Sequence, residues 1–238
     1  MTCFHDLALP EQVLVARRGT AYFAQHLGQL TDDQLDAGTL LSGWTRRHLV
    51  AHVGYNAAAL CRLIQWAATG VESPMYASLA RRSEEIAKGA ALSGAALRNL
   101  FDHTVARLDN DWRQLPASRW SAAVRTAQGR TVPASETVWL RAREVWVHAV
   151  DLDNGAQFGD FPRAVLSSLL TDVVSAWRRN EVGAGLSITV PGAAPITVAG
   201  KARLDVSGSL PAVVRWACGR GAVGVTSTER VPDPPAWL

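Results

Sequence analysis

The sequence predicts a helical bundle over about residues 1–158, followed by a small α/β domain over about residues 159–238. Two observations predict this division. Before residue 158, apolar residues recur at every third or fourth position in long stretches, which is the period of an amphipathic helix. After it, short runs of β-branched residues are separated by Gly and Pro, as in strands joined by turns. With 238 residues, 48% of them hydrophobic, the chain is long enough for two such cores.

In the first part, five stretches have helical spacing, and segments containing Gly or Pro separate most of them. Thr45, Ser93 and Ser135 are candidate N-caps, because their hydroxyl groups can accept a hydrogen bond from the first turn. The segment AQGRT contains a turn signal and predicts a short hairpin or an ordered loop within residues 120–133. The predicted helices cover residues 10–30, 45–69, 77–90, 93–114 and 134–152.

The second part begins after a Gly- and Pro-containing segment, DNGAQFGDFP. Its first predicted element is a helix over residues 162–180, and residues 209–218 predict another. Between them lie three predicted strands, in the segments GLSITVPG, PITVAG and ARLDVSG.

Charge and composition disfavour several classes of partner. Lys and Arg number 24 and Asp and Glu number 21, without a lysine-rich tract, so we expect no nucleic-acid partner. No apolar stretch is long enough to span a bilayer, and the N-terminal MTCFHDLALPEQ does not resemble a signal peptide. The three cysteines, Cys3, Cys61 and Cys218, match no metal-binding spacing. We therefore expect a cytoplasmic protein with reduced thiols.

The strongest chemical motif is Glu144-x3-His148 within a predicted helix. Residues four apart project from the same face, so this carboxylate and this imidazole can converge on one metal ion. By itself the pair is more typical of a solvent-facing Glu–His pair on a helix surface. The surrounding residues are apolar, however, and a buried carboxylate is costly unless it is paired or ligated. The motif therefore predicts two ligands of a metal site.

A third ligand must come from another helix, and the candidates are His48 and His52, one turn apart. His52 lies among small and apolar residues and is expected to face inward. His48 follows two arginines near the helix start, where a solvated or capping role is expected. His52, Glu144 and His148 with an open position form a ligand set used by catalytic zinc, the metal that we expect, although iron and manganese accept the same ligands. Asp151 either orients a ligand or is solvated at the helix end.

Four segments resemble a known family. GWTRRHLVAHVGYNAAAL and AQGRTVPASETVWLRAREVWVHAVDL resemble the two metal-binding segments of DinB-like metalloproteins, in the branch called maleylpyruvate isomerase N-terminal domains. SGSLPAVVRWACGRGAVGVTS and the ending VPDPPAWL resemble the C-terminal domain of mycothiol-dependent maleylpyruvate isomerases. The resemblance covers essentially the whole chain.

The resemblance implies a DinB-like four-helix bundle joined to a small α/β domain similar to sterol-carrier folds. It implies zinc bound by His52, Glu144 and His148, and a catalytic arginine at Arg220. The implied reaction is the cis-trans isomerisation of maleylpyruvate, a dicarboxylate, to fumarylpyruvate in gentisate degradation. It proceeds by reversible addition of a zinc-activated mycothiol thiolate. Two alternatives stay open: another mycothiol-dependent S-transferase, and a metal-stabilised binding protein without catalytic activity.

Overall fold

The computed structural model describes residues 2–237, and these residues form two compact units. One unit comprises residues 9–156, and the other comprises residues 2–8 together with residues 157–237. The first is helical apart from one hairpin and the second is mixed α/β, so the predicted fold class is confirmed. Within the described part, no helix is both long enough and apolar enough to cross a membrane.

The helical unit is organised around its second helix. Helix α2 packs against α3, α4 and α5, while α1 packs against α5, so that α2 and α5 share the centre of the unit. The two short strands pair antiparallel, so that of the two structures predicted for residues 120–133 the hairpin is the one that forms. The elements are α1 (Leu9–Gly28), α2 (Arg46–Thr69), α3 (Leu79–Ala90), α4 (Gly94–Gln114), β1 (Ala123–Arg125), β2 (Thr131–Pro133) and α5 (Glu136–Asp151).

The ends of α2 follow from local chemistry. Thr45 has an extended backbone and is the N-cap, as predicted. Gly70 ends the helix with φ of +78°, a left-handed conformation that glycine adopts without steric cost. Its N–H donates to the carbonyl of Trp66 at 2.8 Å. These two residues fix the length of the helix that carries His52.

Helix α3 approaches α2 closely because residue 89 has no side chain. A Cβ at Gly89 would lie 2.8 Å from the Cβ of Ala51 and 2.8 Å from Cε2 of Tyr55, which is closer than van der Waals contact allows. Gly89 therefore permits a helix spacing that any other residue would increase. This spacing decides which side chains of α3 can reach the neighbourhood of His52.

The mixed unit contains a four-stranded sheet in the order β4-β3-β5-β6. Strands β3 and β5 are parallel, and the two outer strands pair antiparallel with them. Helix α7 packs against α6 and against β5. The elements are α6 (Arg163–Arg179), β3 (Leu186–Thr189), β4 (Ile196–Thr197), β5 (Leu204–Gly208), α7 (Leu210–Ala217) and β6 (Val225–Ser227).

Residues 2–8 differ from the sequence-based division, which assigned them to the helical bundle. They pack with α6 in the mixed unit, because Phe4 is fully buried there and its N–H donates to the hydroxyl of Ser168 at 2.8 Å. The division into a metal-binding helical bundle over residues 1–158 and a small α/β domain over residues 159–238 stays a prediction.

Candidate metal centre

His52, Glu144 and His148 converge at one point in the helical unit. Nε2 of His52, on α2, lies 2.9 Å from Oε2 of Glu144, on α5. Nε2 of His148, one turn further along α5, lies 3.1 Å from the same oxygen. One candidate ligand atom from each residue lies within 4.8 Å of the others. The structure thus brings together the three residues that the sequence analysis selected as metal ligands.

The helices that carry these side chains hold them in place. The i, i+4 spacing puts Glu144 and His148 on one face of α5, and the packing of α5 on α2 presents them to His52. Asp151, fully buried, lies one further turn along, with its Oδ2 2.8 Å from Nδ1 of His148. This contact orients the imidazole so that Nε2 faces Glu144. Asp151 is therefore an orienting residue, and solvation at the helix end is the wrong alternative.

The protonation of the cluster follows from burial and from these contacts. Burial lowers the pKa of His52, which is consequently neutral. Burial opposes charge on His148 as well, but hydrogen bonds to Asp151 and Glu144 outweigh it and raise the pKa of His148 to about 9. Burial also opposes charge on Glu144, yet the two imidazoles hold its pKa well below the usual value. Without metal, the cluster is a half-buried carboxylate paired with an imidazolium.

The donor set fits a divalent metal ion. Two imidazole nitrogens and one carboxylate oxygen point at a common volume, and a buried carboxylate orients one of the imidazoles through its other nitrogen. Such a carboxylate behind a histidine is the usual support for a metal-bound imidazole. The same nitrogen and oxygen ligands serve catalytic zinc.

Metal affinity should depend steeply on pH, because His148 must lose its proton before Nε2 can bind a cation. Below its pKa of about 9, each pH unit upward should raise the affinity about tenfold, and the gain should stop near that pKa. Binding should release about one proton per metal ion. Competition with a chelator of known pH dependence measures the affinity, and titration in weak buffer measures the proton. An affinity that is constant between pH 6 and about 8 would contradict the assignment.

The other histidines are engaged elsewhere. Nδ1 of His48 lies 2.8 Å from the hydroxyl of Thr45, so His48 belongs to the N-terminal cap of α2. Of the two roles predicted for it, solvated or capping, the capping role is the one observed. His26 is buried against the ring of Tyr22, and His5 and His103 are exposed. His52 is therefore the histidine of α2 that faces the cluster.

Sequence reasoning missed three residues near the cluster. Trp44 packs its ring edge-to-face against His52, with ring centres 5.4 Å apart. Arg82, on α3, places Nη2 3.2 Å from Nδ1 of His52. Arg141 is fully buried one turn before Glu144 and donates to the carbonyl of Val53, which ties α5 to α2. The pattern around Arg82 and Arg141 resembles an ordinary amphipathic helix, so only the packing of the helices shows their positions.

A well-formed cavity of the helical unit lies apart from the three candidate ligands. A cavity of about 350 Å³ lies between α1 and α4, with Arg17, Phe101, Asp109 and Arg141 among its lining residues. None of the three candidate ligands lines it. The convergence of ligand atoms is therefore the better guide.

Arg220 belongs to the other compact unit and lies in the turn that follows α7. Its Nη1 donates to the carbonyl of Cys218 at 2.5 Å, and its own carbonyl accepts from Nε of Arg215 at 2.7 Å. Glycines with positive φ flank it at 219 and 221, which allows the tight turn. The side chain is half-buried. Its catalytic role stays a prediction.

Comparison with known proteins identifies the family to which the chain belongs. Residues 16–153, more than half of the chain, match the mycothiol maleylpyruvate isomerase N-terminal domain family. Two solved structures are similar over 100% of both chains, with 50% identity and a TM-score of 0.97: the mycothiol-dependent maleylpyruvate isomerase and its H52A mutant. No curated protein sequence matches. With the family match and the full-length similarity together, the chain belongs to the family of mycothiol-dependent maleylpyruvate isomerases.

Proposed function

We propose that this chain converts maleylpyruvate to fumarylpyruvate, with mycothiol as the thiol cofactor and zinc as the metal. One observation carries the proposal: His52, Glu144 and His148 form a metal-type cluster in a chain that is 50% identical, over its whole length, to a mycothiol-dependent maleylpyruvate isomerase. The substrate is a cis alkene conjugated to a ketone, and its carbon–carbon double bond must become single before it can rotate.

The three ligands and their support have separate tasks. His52 and His148 would hold zinc through Nε2, Glu144 would supply the anionic ligand, and Asp151 keeps the His148 ring turned toward the site. A bound zinc ion lowers the pKa of a thiol that coordinates it, and so supplies a nucleophile at neutral pH. The low exposure of the three side chains, between 7% and 17%, strengthens the electrostatic interactions within the cluster.

The chain's own thiols are unsuited to be the nucleophile. Cys61 is fully buried, and burial raises the pKa of its thiol to about 12, so it is protonated at neutral pH. Cys218 is buried as well, and Cys3 is half-buried. We place the protein in the reducing cytoplasm, in agreement with three cysteines that form no disulfide bond within residues 2–237. The reactive thiol is therefore expected to come from mycothiol.

A decisive experiment follows the absorbance of maleylpyruvate with purified, zinc-loaded protein in the presence and absence of mycothiol. We expect turnover with mycothiol and only the background rate without it. Mycothiol should be regenerated, so that its concentration is unchanged after many turnovers. Stoichiometric consumption of mycothiol would instead indicate an S-transferase. A protein that turns over no maleylpyruvate, whether mycothiol is present or absent, would be a binding protein.

The origin of the thiol is tested separately by removing the cysteines of the chain. The variant Cys3→Ser, Cys61→Ala, Cys218→Ala should retain kcat within a few-fold, because none of these thiols takes part in the reaction. Circular dichroism checks the fold of the variant. Isomerisation by the wild-type protein in a buffer free of thiols, lost in this variant, would show that a cysteine of the chain is the nucleophile.

A further inference from the structure

Arg82 is a cation beside the metal cluster without an anionic partner. Its Nη2 lies 3.2 Å from Nδ1 of His52, and the centre of its guanidinium lies 5.8 Å from the centroid of the Tyr76 ring. Among residues 2–237, no carboxylate lies within ion-pair distance of Arg82. The preceding residue, Arg81, is exposed and forms an ion pair with Glu84 at 2.7 Å. Of these two adjacent arginines on α3, Arg81 is exposed and paired with a carboxylate, whereas Arg82 lies beside an imidazole and an aromatic ring.

The hydrogen bond between Arg82 and His52 can form only when no metal ion is bound to His52. A guanidinium has no acceptor, so Arg82 donates and Nδ1 of His52 accepts, with the ring proton on Nε2 facing Glu144. When Nε2 gives its lone pair to a metal ion, the proton of the neutral imidazole is on Nδ1. Two donors then face each other, and the hydrogen bond is lost. In the metal-loaded protein, Arg82 therefore needs another acceptor.

That acceptor should be anionic. A half-buried guanidinium has lost part of its hydration, and the face of Tyr76 compensates for only part of this cost. The planar fork of arginine pairs with a carboxylate through two parallel hydrogen bonds. Gly89, two helical turns along the same face of α3, allows the close packing that brings Arg82 to the edge of the cluster.

We propose that Arg82 binds one carboxylate of the dicarboxylate substrate beside the metal centre. The proposal rests on the proposed function, which supplies an anion of this class. Tyr76 holds the guanidinium from one side, and departure from His52 on metal binding makes the fork available to the substrate. Arg82 is thus a substrate-binding residue rather than a metal-supporting one.

The test compares Arg82→Gln with Arg81→Gln, a matched control that removes the same charge one position away on the exposed face of α3. Zinc content, steady-state kinetics at saturating mycothiol and calorimetric binding of fumarate, an unreactive dicarboxylate, are measured on all three proteins. In Arg82→Gln we expect about a 30- to 100-fold rise in KM for maleylpyruvate and a similar loss of fumarate affinity. Zinc content and the KM for mycothiol should be unchanged, and kcat should change by only a few-fold. Arg81→Gln should match the wild type throughout.

Several results would overturn the proposal. If Arg82→Gln binds fumarate with wild-type affinity, Arg82 does not contact the carboxylate. If that variant loses zinc, the role of Arg82 is to support His52. If the glutamine variant does not fold, Arg82→Lys serves instead, with an intermediate loss of fumarate affinity expected. The proposed function is tested separately, because it is refuted if the wild-type protein does not isomerise maleylpyruvate. Even then, loss of fumarate binding in Arg82→Gln would support the carboxylate site.

Discussion

Replacement of His148 by alanine should remove both the metal and the isomerase activity, and His52→Ala and Glu144→Ala should do the same. The site draws only three candidate ligands from the described part of the chain, so each loss leaves two. For His148→Ala there is a second cost, because Asp151 loses the imidazole that it orients. Zinc analysis of the purified proteins, beside the absorbance assay, measures both effects.

His48→Ala is the control for these variants. It removes a histidine of the same helix, one turn before His52, that lies at the N-cap of α2 beside Thr45. We expect full zinc content and activity, with a loss of stability of about 1 kcal/mol from the weakened cap. Full activity in His148→Ala, or metal loss confined to His48→Ala, would make the ligand assignment wrong.

Replacement of Arg220 by alanine should lower kcat by about 100- to 1000-fold, which is the usual cost of removing one preorganised electrostatic donor. The proposed task of this residue is to stabilise the negative charge that develops on the substrate when the thiol adds to it. An interaction that is stronger in the transition state than in the ground state affects kcat rather than KM. Lysine keeps the charge but not the planar fork, so Arg220→Lys should retain part of the activity.

The controls for Arg220 separate chemistry from folding. The side chain also donates to the carbonyl of Cys218, so thermal unfolding of each variant must be measured beside its kinetics. Arg230→Ala, an exposed arginine of the same unit, should have wild-type kcat and zinc content. If Arg220→Ala turns over normally, the catalytic role is wrong, and if it unfolds at the assay temperature, the role of Arg220 is to hold its turn.

Much of the cluster was predictable because its geometry is local. Glu144 and His148 share a face of any helix that includes both, and the apolar sequence around them implies burial. His52 could be preferred over His48 because a position beside arginines at a helix start favours a capping role, which the contact with Thr45 shows. These inferences need only helical periodicity and the cost of burying a charge.

Features that depend on contacts between distant segments were not predictable. Arg82 reaches His52 only because Gly89 brings α3 close to α2, and sequence periodicity says nothing about helix spacing. Strand β6 covers three residues after a Gly-rich turn, too few to show an alternating pattern, and it forms by pairing with β5. Phe4 belongs to the mixed unit for the same reason, since its burial site is formed by residues more than 150 positions later.

The division of the ligands between α2 and α5 has a consequence for the lifetime of the protein. A metal ion held by both helices is retained only while they remain docked, so its binding free energy is added to the free energy of unfolding of the helical unit. At a free metal concentration 1000-fold above the dissociation constant, the addition is about 4.1 kcal/mol. A typical domain has a total stability of about 5–15 kcal/mol. Supply of the bound metal in the cell would then govern the abundance of the chain as well as its activity, because metal-depleted molecules would unfold more often and be degraded sooner.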